Sequence, residues 1–203
     1  MDIDYKNLLE HYCGVSIHQS IRRWEENIFN INAEEKNLIL NDWIIKPKDN
    51  LKLQDMLTHL VDAFDIIYDF TDKISNGAII DFGFNEVIVC YEEVEKSIES
   101  VKKINTELLD MDKSLIYTTT LHKGAVIIGN WGARNRFKRM ILGEEIDYCK
   151  MMNTIKLKEK TTCIVSEKYK DAVNDKTLFR EIKDIGDVFH NNENKGKLYE
   201  FKI

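Results

Sequence analysis

The chain has 203 residues, a formal net charge of −6 and 43% hydrophobic residues, which is the balance of a globular protein with one medium domain or one domain and an extension. The negative charge argues against nucleic acid or an anionic membrane as a partner, and no apolar run approaches the roughly 20 residues of a membrane helix. The first residues lack the basic and apolar regions of a signal peptide, so we expect a cytoplasmic protein.

Residues 1–36 predict a helical extension, because apolar side chains recur there at three- and four-residue spacing. These side chains are Leu8, Leu9, Tyr12, Ile17, Ile21, Trp24 and Ile28. Such a stripe ahead of a domain typically packs on that domain or on a second copy of it, and the segment is too weakly basic to favour a membrane surface. We therefore place a domain boundary here and expect the main domain at residues 37–203.

The first half of the main domain predicts a strand, a helix, a hairpin and a second helix. Residues 37–45 form a short apolar run suited to a buried strand, and apolar side chains then recur with a 3.6-residue period until Asn76-Gly77. Residues 78–82 and 87–91 predict two strands joined by a turn at residues 83–86. A long amphipathic helix follows, with Val94, Ile98, Val101, Ile104 and Leu108 on its inward face.

The second half continues as mixed α+β. We expect strands at residues 115–121 and 125–128, a glycine turn at residues 129–132, a basic hairpin arm and an apolar strand at residues 140–142. Glu144-Glu145 then open a helix that continues to about residue 157, as the helix dipole favours. A strand at residues 163–166, a helix at residues 167–173 and a final strand at residues 197–203 complete the order, which is not that of a doubly wound sheet.

Residues 121–152 carry glycines at a distinctive spacing around the basic arm. The positions concerned are His122, Gly124, Gly129, Gly132, Arg136 and Gly143. This pattern resembles the central signature of class III nucleotidyl cyclases, the adenylate and guanylate cyclase catalytic domains, where H-x-G-x-x-x-x-G-x-x-G leads through an arginine-bearing arm to G-D-x-V-N-x-A-x-R. The resemblance implies a ferredoxin-like core sheet with helices packed on it, a two-fold dimer, and active sites to which both subunits contribute.

The resemblance also implies a site for two divalent metals, Mg²⁺ or Mn²⁺, that serve the cyclisation of a nucleoside triphosphate. Its first metal aspartate is matched by Asp42, for which a solvated strand-end aspartate is an equal alternative. Its second falls on Asn85, whose amide oxygen can coordinate hard cations but brings no negative charge. Glu86 is adjacent, although strict strand alternation predicts that its side chain points to the other face.

The catalytic asparagine and arginine of the family are also replaced. Asp147 stands at the asparagine position and brings negative charge beside the ribose and phosphates, so it is our candidate catalytic residue. Met151 stands at the arginine position, and losing such an electrostatic contact typically costs about a hundred- to a thousandfold in rate. Lys150 is one position away, about 100° around the helix. We interpret Met151 as core or interface packing.

The base-selecting pair of the family falls on Asp81 and Lys138, the adenine pair with its charges exchanged. Either the pocket recognises another base, because the donor and acceptor pattern is inverted, or the two residues form a salt bridge that closes a disused pocket, which we favour. Arg136 and its basic neighbours in the arm could contact a triphosphate or form a solvated hairpin. His122 is expected to be structural.

These departures within a retained frame favour a dimeric, cytoplasmic, nucleotide-binding or purely interacting pseudoenzyme in signalling, with cyclase chemistry lost or much reduced. The alternative is an active, divergent cyclase that converts a nucleoside triphosphate, such as a pyrimidine triphosphate, to a cyclic monophosphate and pyrophosphate. A third hypothesis is half of a heterodimer, with another cyclase domain supplying the missing groups.

Overall fold

The computed structural model describes residues 33–47, 52–74, 77–111, 115–133, 136–155, 163–183 and 196–201, with the backbone alone at residues 33, 47, 73–74, 82, 130–133 and 136–140. The strands are β1 (Ala33–Pro47), β2 (Ala78–Phe82), β3 (Glu86–Tyr91), β4 (Leu115–Ala133), β5 (Arg136–Leu142), β6 (Cys163–Ser166), β7 (Phe179–Glu181) and β8 (Leu198–Phe201). The α-helices are α1 (Leu53–Asp69), α2 (Val94–Met111), α3 (Glu144–Met152) and α4 (Glu167–Ala172). A π-helical turn (Phe70–Ile74) extends α1, and a 3₁₀ turn (Lys176–Leu178) precedes β7.

A single mixed sheet organises the described part of the chain. Its strand order is β2-β3-β1-β4-β6-β8-β7, and β5 pairs with the far part of β4. The β4–β6 pair is parallel and the other pairs are antiparallel. The β1–β4 pairing extends from Ala33 opposite Gly129 to Pro47 opposite Leu115. This confirms the predicted α+β fold class, with helices packed on a sheet.

The alternation of side chains along β1 divides the core between the two faces of the sheet. Odd-numbered residues such as Ile39 and Trp43 belong to a cluster packed with α1 and α2. Even-numbered residues such as Leu38 and Leu40 belong to a second cluster that includes Ile146, Tyr148, Cys149 and Met152 of α3. We call this second side the α3 face. Asp42 follows the even-numbered pattern and therefore lies on the α3 face.

Strand β1 is longer than the sequence predicted. Residues 33–36, which we assigned to the helical extension, are strand and pair with residues 126–129 of β4. The polar residues Glu34, Glu35 and Lys36 gave no apolar alternation, so nothing in their sequence marked them as strand. The predicted helices at residues 1–32 lie outside the described residues.

The predicted glycine turn at residues 129–132 is wrong. These residues continue β4 and pair with β5, from Gly129 opposite Met140 to Gly132 opposite Phe137. The ladder to β5 satisfies the backbone groups that a turn would have exposed. Residues 134–135, between the two strands, lie outside the described part of the chain.

Helix α3 ends at Met152 rather than near residue 157. The backbone N–H groups of Asn153, Thr154 and Ile155 bond carbonyls three residues earlier, so the chain tightens into a turn. Strand β7, which we did not predict, has three residues and pairs with β8. None of the helices in the described ranges is long and apolar enough to cross a membrane.

Candidate functional site

Three carboxylates share the α3 face where β1, β2 and β3 lie side by side. Asp42 is opposite Ile88 in β3, and Ile88 is opposite Asp81 in β2. Residues directly opposite each other in antiparallel strands place their side chains on the same face. Glu86 is opposite Ile44, two residues from Asp42, and so belongs to that face as well. We call Asp42, Asp81 and Glu86 the acidic group.

Asp42 lies at the buried centre of this group, with 0% of its surface exposed. Asn153, just beyond α3, donates from Nδ2 to Oδ2 of Asp42 at 2.7 Å and to its backbone carbonyl at 2.9 Å. The other carboxylate oxygen, Oδ1, is buried without a hydrogen-bond partner among the described residues. Burial is the largest influence and raises the pKa of Asp42 to about 7, against the hydrogen bond from Asn153 and with the charge of Glu86 adding to it.

Lys150 of α3 brings a positive charge to the acidic group. Its Nζ lies 3.2 Å from Oε2 of Glu86. Burial works to lower the pKa of Lys150, but the hydrogen bond and charge of Glu86, with the charges of Asp42 and Asp81, raise it above its ordinary value. The charge of Glu86 in turn raises the pKa of Asp42, although less than burial does. The ammonium group therefore interacts with all three carboxylates and stays charged at neutral pH.

The acidic group as it stands does not fit two divalent cations. One oxygen of Asp42 is bound by Asn153 and one oxygen of Glu86 by the Lys150 ammonium. Mg²⁺ and Mn²⁺ need oxygen ligands that are free to approach at about 2.0–2.2 Å and enough negative charge to balance them. Within the described ranges, no set of three or more His, Cys, Asp or Glu side chains is arranged to hold a metal ion.

The hairpin contributes the Glu86 carboxylate to the acidic group, and the neighbouring Asn85 stays a predicted metal ligand. Asn85 lies in the bend before β3, and its backbone carbonyl accepts a hydrogen bond from the N–H of Ile45 at 2.9 Å. The expectation that Glu86 points away from the site is wrong. Because the bend at residues 84–85 interrupts the strand, alternation cannot be counted across it, whereas the pairing of Glu86 with Ile44 fixes its face.

Helix α3 carries both residues that the sequence aligned with the catalytic asparagine and arginine, one helical turn apart. Asp147 is exposed, and the structure records no contact between it and the acidic group. Met151 is partly buried and packs against the cluster on the α3 face, as we interpreted it. Lys150 reaches Glu86 from one position earlier without any added rotation of the helix.

The predicted base-selecting pair is described only in part. Asp81 is half-buried in β2 and acts electrostatically on Lys150. In β5, Lys138 is opposite Trp131 and Arg136 is opposite Ala133 in the backbone ladder. The side chains of Lys138 and Arg136 lie outside the described residues, so their predicted contacts with Asp81 or with phosphates stay predictions.

The signature histidine belongs to a buried network that the sequence did not reveal. Nδ1 of His122 lies 2.8 Å from Oγ of Ser166, and Nε2 lies 2.6 Å from Oε2 of Glu145. Lys168 donates to the other oxygen of Glu145 at 2.5 Å. Serine, histidine and glutamate have the composition of a hydrolase triad. However, Ser166 is 1% exposed and its hydroxyl caps α4 by accepting the N–H of Tyr169, so the network is structural.

Gly124 gives the network its space. A Cβ atom at this position would lie 2.6 Å from Cγ of Glu145, closer than packed carbon atoms approach. The H-x-G spacing therefore places the histidine and the gap for its glutamate partner on the same face of β4, two residues apart. The sequence could have indicated this contact, because the H-x-G motif is followed by a helix that begins with two glutamates.

Comparison with known proteins identifies the fold. No protein-family model matches the sequence. No curated protein matches it either. The solved structure of a bacterial light-regulated adenylyl cyclase is similar, with a TM-score of 0.79 and 14% identity over 97% of this chain and 60% of that chain. This chain thus spans only 60% of the length of that protein.

Two solved structures of guanylyl cyclase catalytic domains are also similar to this chain. The catalytic core of a rhodopsin–guanylyl cyclase with converted specificity, in complex with ATPαS, has a TM-score of 0.66 and 12% identity over 84% of this chain and 97% of that chain. The dimeric guanylyl cyclase domain of the fusion protein from Blastocladiella emersonii has a TM-score of 0.64 and 12% identity over 85% and 97%. The chain described here has the fold of adenylyl and guanylyl cyclase catalytic domains, as the glycine pattern predicted.

Proposed function

We propose that this domain is a dimeric, nucleotide-binding pseudoenzyme with the class III cyclase fold, in which cyclase chemistry is lost or much reduced. The observation that carries the proposal is the 3.2 Å contact between Nζ of Lys150 and Oε2 of Glu86. Two-metal catalysis places two doubly charged cations among its carboxylates. Here the neighbouring cation is a single ammonium group, and Asp42 is engaged by Asn153.

Stabilisation of the departing pyrophosphate is also weakened. Cyclisation needs a donor and a cation directed at the departing pyrophosphate. Asp147 offers a negative charge at the first position, and Met151 packs against the core at the second. Each loss of a preorganised electrostatic contact reduces the rate by about a hundred- to a thousandfold. Two such losses together with an altered metal site leave little of the original catalysis.

The proposed dimer has an exposed apolar pair to support it. Ile127 of β4 and Leu142 of β5 are directly opposite each other, and they are 41% and 39% exposed. Apolar side chains left open at the root of a long hairpin are suited to burial against a second copy of the chain. In the heterodimer hypothesis, a different cyclase domain would take the place of the second copy and would bind the same surface.

The alternative function, an active divergent cyclase, is favoured by the three carboxylates on one face. If a bound triphosphate drew Lys150 away from Glu86, the acidic group would regain negative charge for a divalent cation. The exchanged Asp81 and Lys138 positions would then select a base other than adenine, such as a pyrimidine. Both hypotheses predict nucleotide binding and differ in whether a cyclic product forms.

The deciding experiment is incubation of the full chain with each of the four nucleoside triphosphates and Mn²⁺, with chromatographic detection of cyclic nucleotides. We expect no product above the level of the Asp42→Ala variant, and nucleotide binding by calorimetry. Asp110→Ala, which removes an exposed aspartate of α2, is the matched control. A product made by the wild type and by Asp110→Ala but absent from Asp42→Ala would overturn the proposal and establish the alternative.

A further inference from the structure

Two hydrogen-bond donors reach the acidic group from one side of α3, Lys150 in its last turn and Asn153 just beyond its end. Residues three apart lie on the same side of a helix, and Lys150 and Asn153 are three apart. Asn153 donates to Oδ2 of Asp42 at 2.7 Å, while Nζ of Lys150 lies 3.2 Å from Oε2 of Glu86. The two donors therefore engage neighbouring carboxyl groups, since the charge of Glu86 acts on Asp42 and raises its pKa.

We propose that Lys150 is a built-in cation that takes the place of a divalent metal ion in the acidic group and excludes Mg²⁺ and Mn²⁺ from it. This inference rests on the proposed function, since that function identifies the acidic group as a former metal site. The ammonium group of Lys150 offsets the negative charge of Asp42, Asp81 and Glu86 and blocks the approach of a metal ion to them. This role requires no metal to be bound at any stage.

The charge balance explains why a cation is needed. Asp42 has no exposed surface and its Oδ1 has no hydrogen-bond partner in the described part of the chain. Asp81 is half-buried on the same face, and the Glu86 side chain is 28% exposed. The charge of Glu86 raises the pKa of Asp42, which is the effect that two neighbouring carboxylates have on each other, and a cation beside them offsets this repulsion. The Lys150 ammonium supplies that cation from within the fold.

A tethered cation also has an advantage over a dissolved one. Because Lys150 is attached to α3, its ammonium group is always close to Glu86. Its effective concentration there is in the millimolar range, and a dissolved ion would need a similar concentration to compete with it. A metal ion would have to displace the ammonium from Oε2 of Glu86 and then bind beside a positive charge. The carboxylates as arranged here do not form a metal site among the described residues, so metal binding requires both the removal of Lys150 and a reorientation of the carboxylates towards the ion.

The test is removal of the lysine and titration with Mn²⁺ in the absence of nucleotide. Lys150→Ala and Lys150→Met remove the ammonium group that contacts Glu86, and the methionine variant keeps the packing of the side-chain stem. Free Mn²⁺ is measured by electron paramagnetic resonance and the melting temperature by scanning calorimetry. We expect both variants to bind Mn²⁺ at least about tenfold more tightly than the wild type and to melt higher when Mn²⁺ is added.

Matched variants decide whether the gain belongs to the acidic group. Lys103→Ala removes a lysine from a salt bridge with Glu99 at 2.9 Å on α2 and should leave Mn²⁺ binding unchanged. The double variants Lys150→Ala/Glu86→Gln and Lys150→Ala/Asp42→Asn should return to the wild-type affinity. The inference is overturned if the two Lys150 variants fold and gain no affinity, if Lys103→Ala gains as much, or if the double variants keep the gain.

The two proposals fail separately. Metal affinity is read without nucleotide, so its outcome does not depend on catalysis. Cyclic nucleotide formation by the wild type overturns the proposed function. An Mn²⁺ affinity that is the same with and without Lys150 overturns the inference about the lysine and leaves the proposed loss of cyclase activity standing.

Discussion

At the scale of single residues, the carboxyl group of Asp42 makes folding depend on pH. Its folded pKa of about 7 lies above the ordinary value of 3.8, so the folded state binds the proton more tightly than the unfolded state. The resulting stabilisation is fully present below pH 3.8 and is lost as the pH rises through 7. The titratable groups on the same face as Asp42 are Glu86 from β3, Asp81 from β2, and Lys150 and Cys149 from α3.

Replacement of Asp42 by asparagine removes this dependence, because an amide can accept from Asn153 without ionising. We expect Asp42→Asn to be more stable than the wild type at pH 8 by about 1 to 3 kcal/mol, since each unit of pKa shift corresponds to about 1.4 kcal/mol. Near pH 4 the advantage should largely disappear. Urea unfolding at both pH values measures the difference.

The control for this comparison is Asp110→Asn, which changes an exposed aspartate of α2 and should shift stability equally at both pH values. A constant difference between Asp42→Asn and the wild type across the range would show that burial of the carboxylate does not govern the effect.

At the scale of secondary-structure elements, His122, Glu145, Ser166 and Lys168 join β4 to α3, β6 and α4. Gly124 is necessary for this junction because its missing side chain leaves room for the stem of Glu145. Overpacking of this kind typically costs about 1–3 kcal/mol. Removal of the Glu145 carboxylate breaks its hydrogen bond with Nε2 of the buried His122, which costs a similar amount of about 1–3 kcal/mol.

The two effects are coupled, and a double-mutant cycle measures the coupling. Gly124→Ala should destabilise the protein more when Glu145 is present than when it is replaced by alanine, because alanine lacks the Cγ and Cδ atoms that the new methyl group meets and keeps only the Cβ atom at 2.8 Å. We expect a coupling energy of about 1 kcal/mol or more. Urea unfolding of the four proteins at pH 7 gives this value.

Glu144→Ala provides the comparison, since Glu144 is the exposed neighbour of Glu145 at the start of α3. Combined with Gly124→Ala, it should show additive losses. Additive losses for Gly124→Ala and Glu145→Ala as well would mean that the glycine is required for another reason.

Element type was predictable where the apolar period was strong, and the site was less so. Helix α2 and the strands β2 and β3 fall where their patterns placed them. Lys150, by contrast, is separated from Glu86 by 64 residues, and no local spacing indicates such a partner. Asn153 was missed for the same reason, because its role depends on the turn that ends α3 opposite Asp42.

At the scale of the whole molecule, the glycine frame predicted the topology correctly because it records close approaches of the backbone. Gly124 leaves room for Glu145, and Gly143 adopts φ 146° at the start of α3. Any chain with this arrangement of β4 and α3 needs glycine at both positions. The same glycines misled us about Gly129 and Gly132, which lie within the β4–β5 ladder. Strand β7 escaped prediction because its three residues are held by β8 rather than by their own pattern.

The proposed dimer belongs to this scale and can be tested on a single strand. Ile127 and Ile116 are both exposed on β4, at 41% and 51%, but Ile127 has the exposed Leu142 directly opposite it and Ile116 is opposite Lys46. Burial of apolar surface contributes about 25 cal/mol per Å², and a charge placed in a buried contact opposes association. A two-fold interface doubles the effect, because the same patch is used by both copies.

We therefore expect sedimentation equilibrium to show that the wild type is a dimer. The dissociation constant of this dimer should rise by about tenfold or more in Ile127→Glu. Ile116→Glu is the matched control and should keep the wild-type value. Equal weakening by both substitutions would place the interface elsewhere on β4. A wild type that stays monomeric at all concentrations, and associates only when a second cyclase-fold domain is added, would instead support the heterodimer, because the exposed pair of Ile127 and Leu142 would then face a different chain.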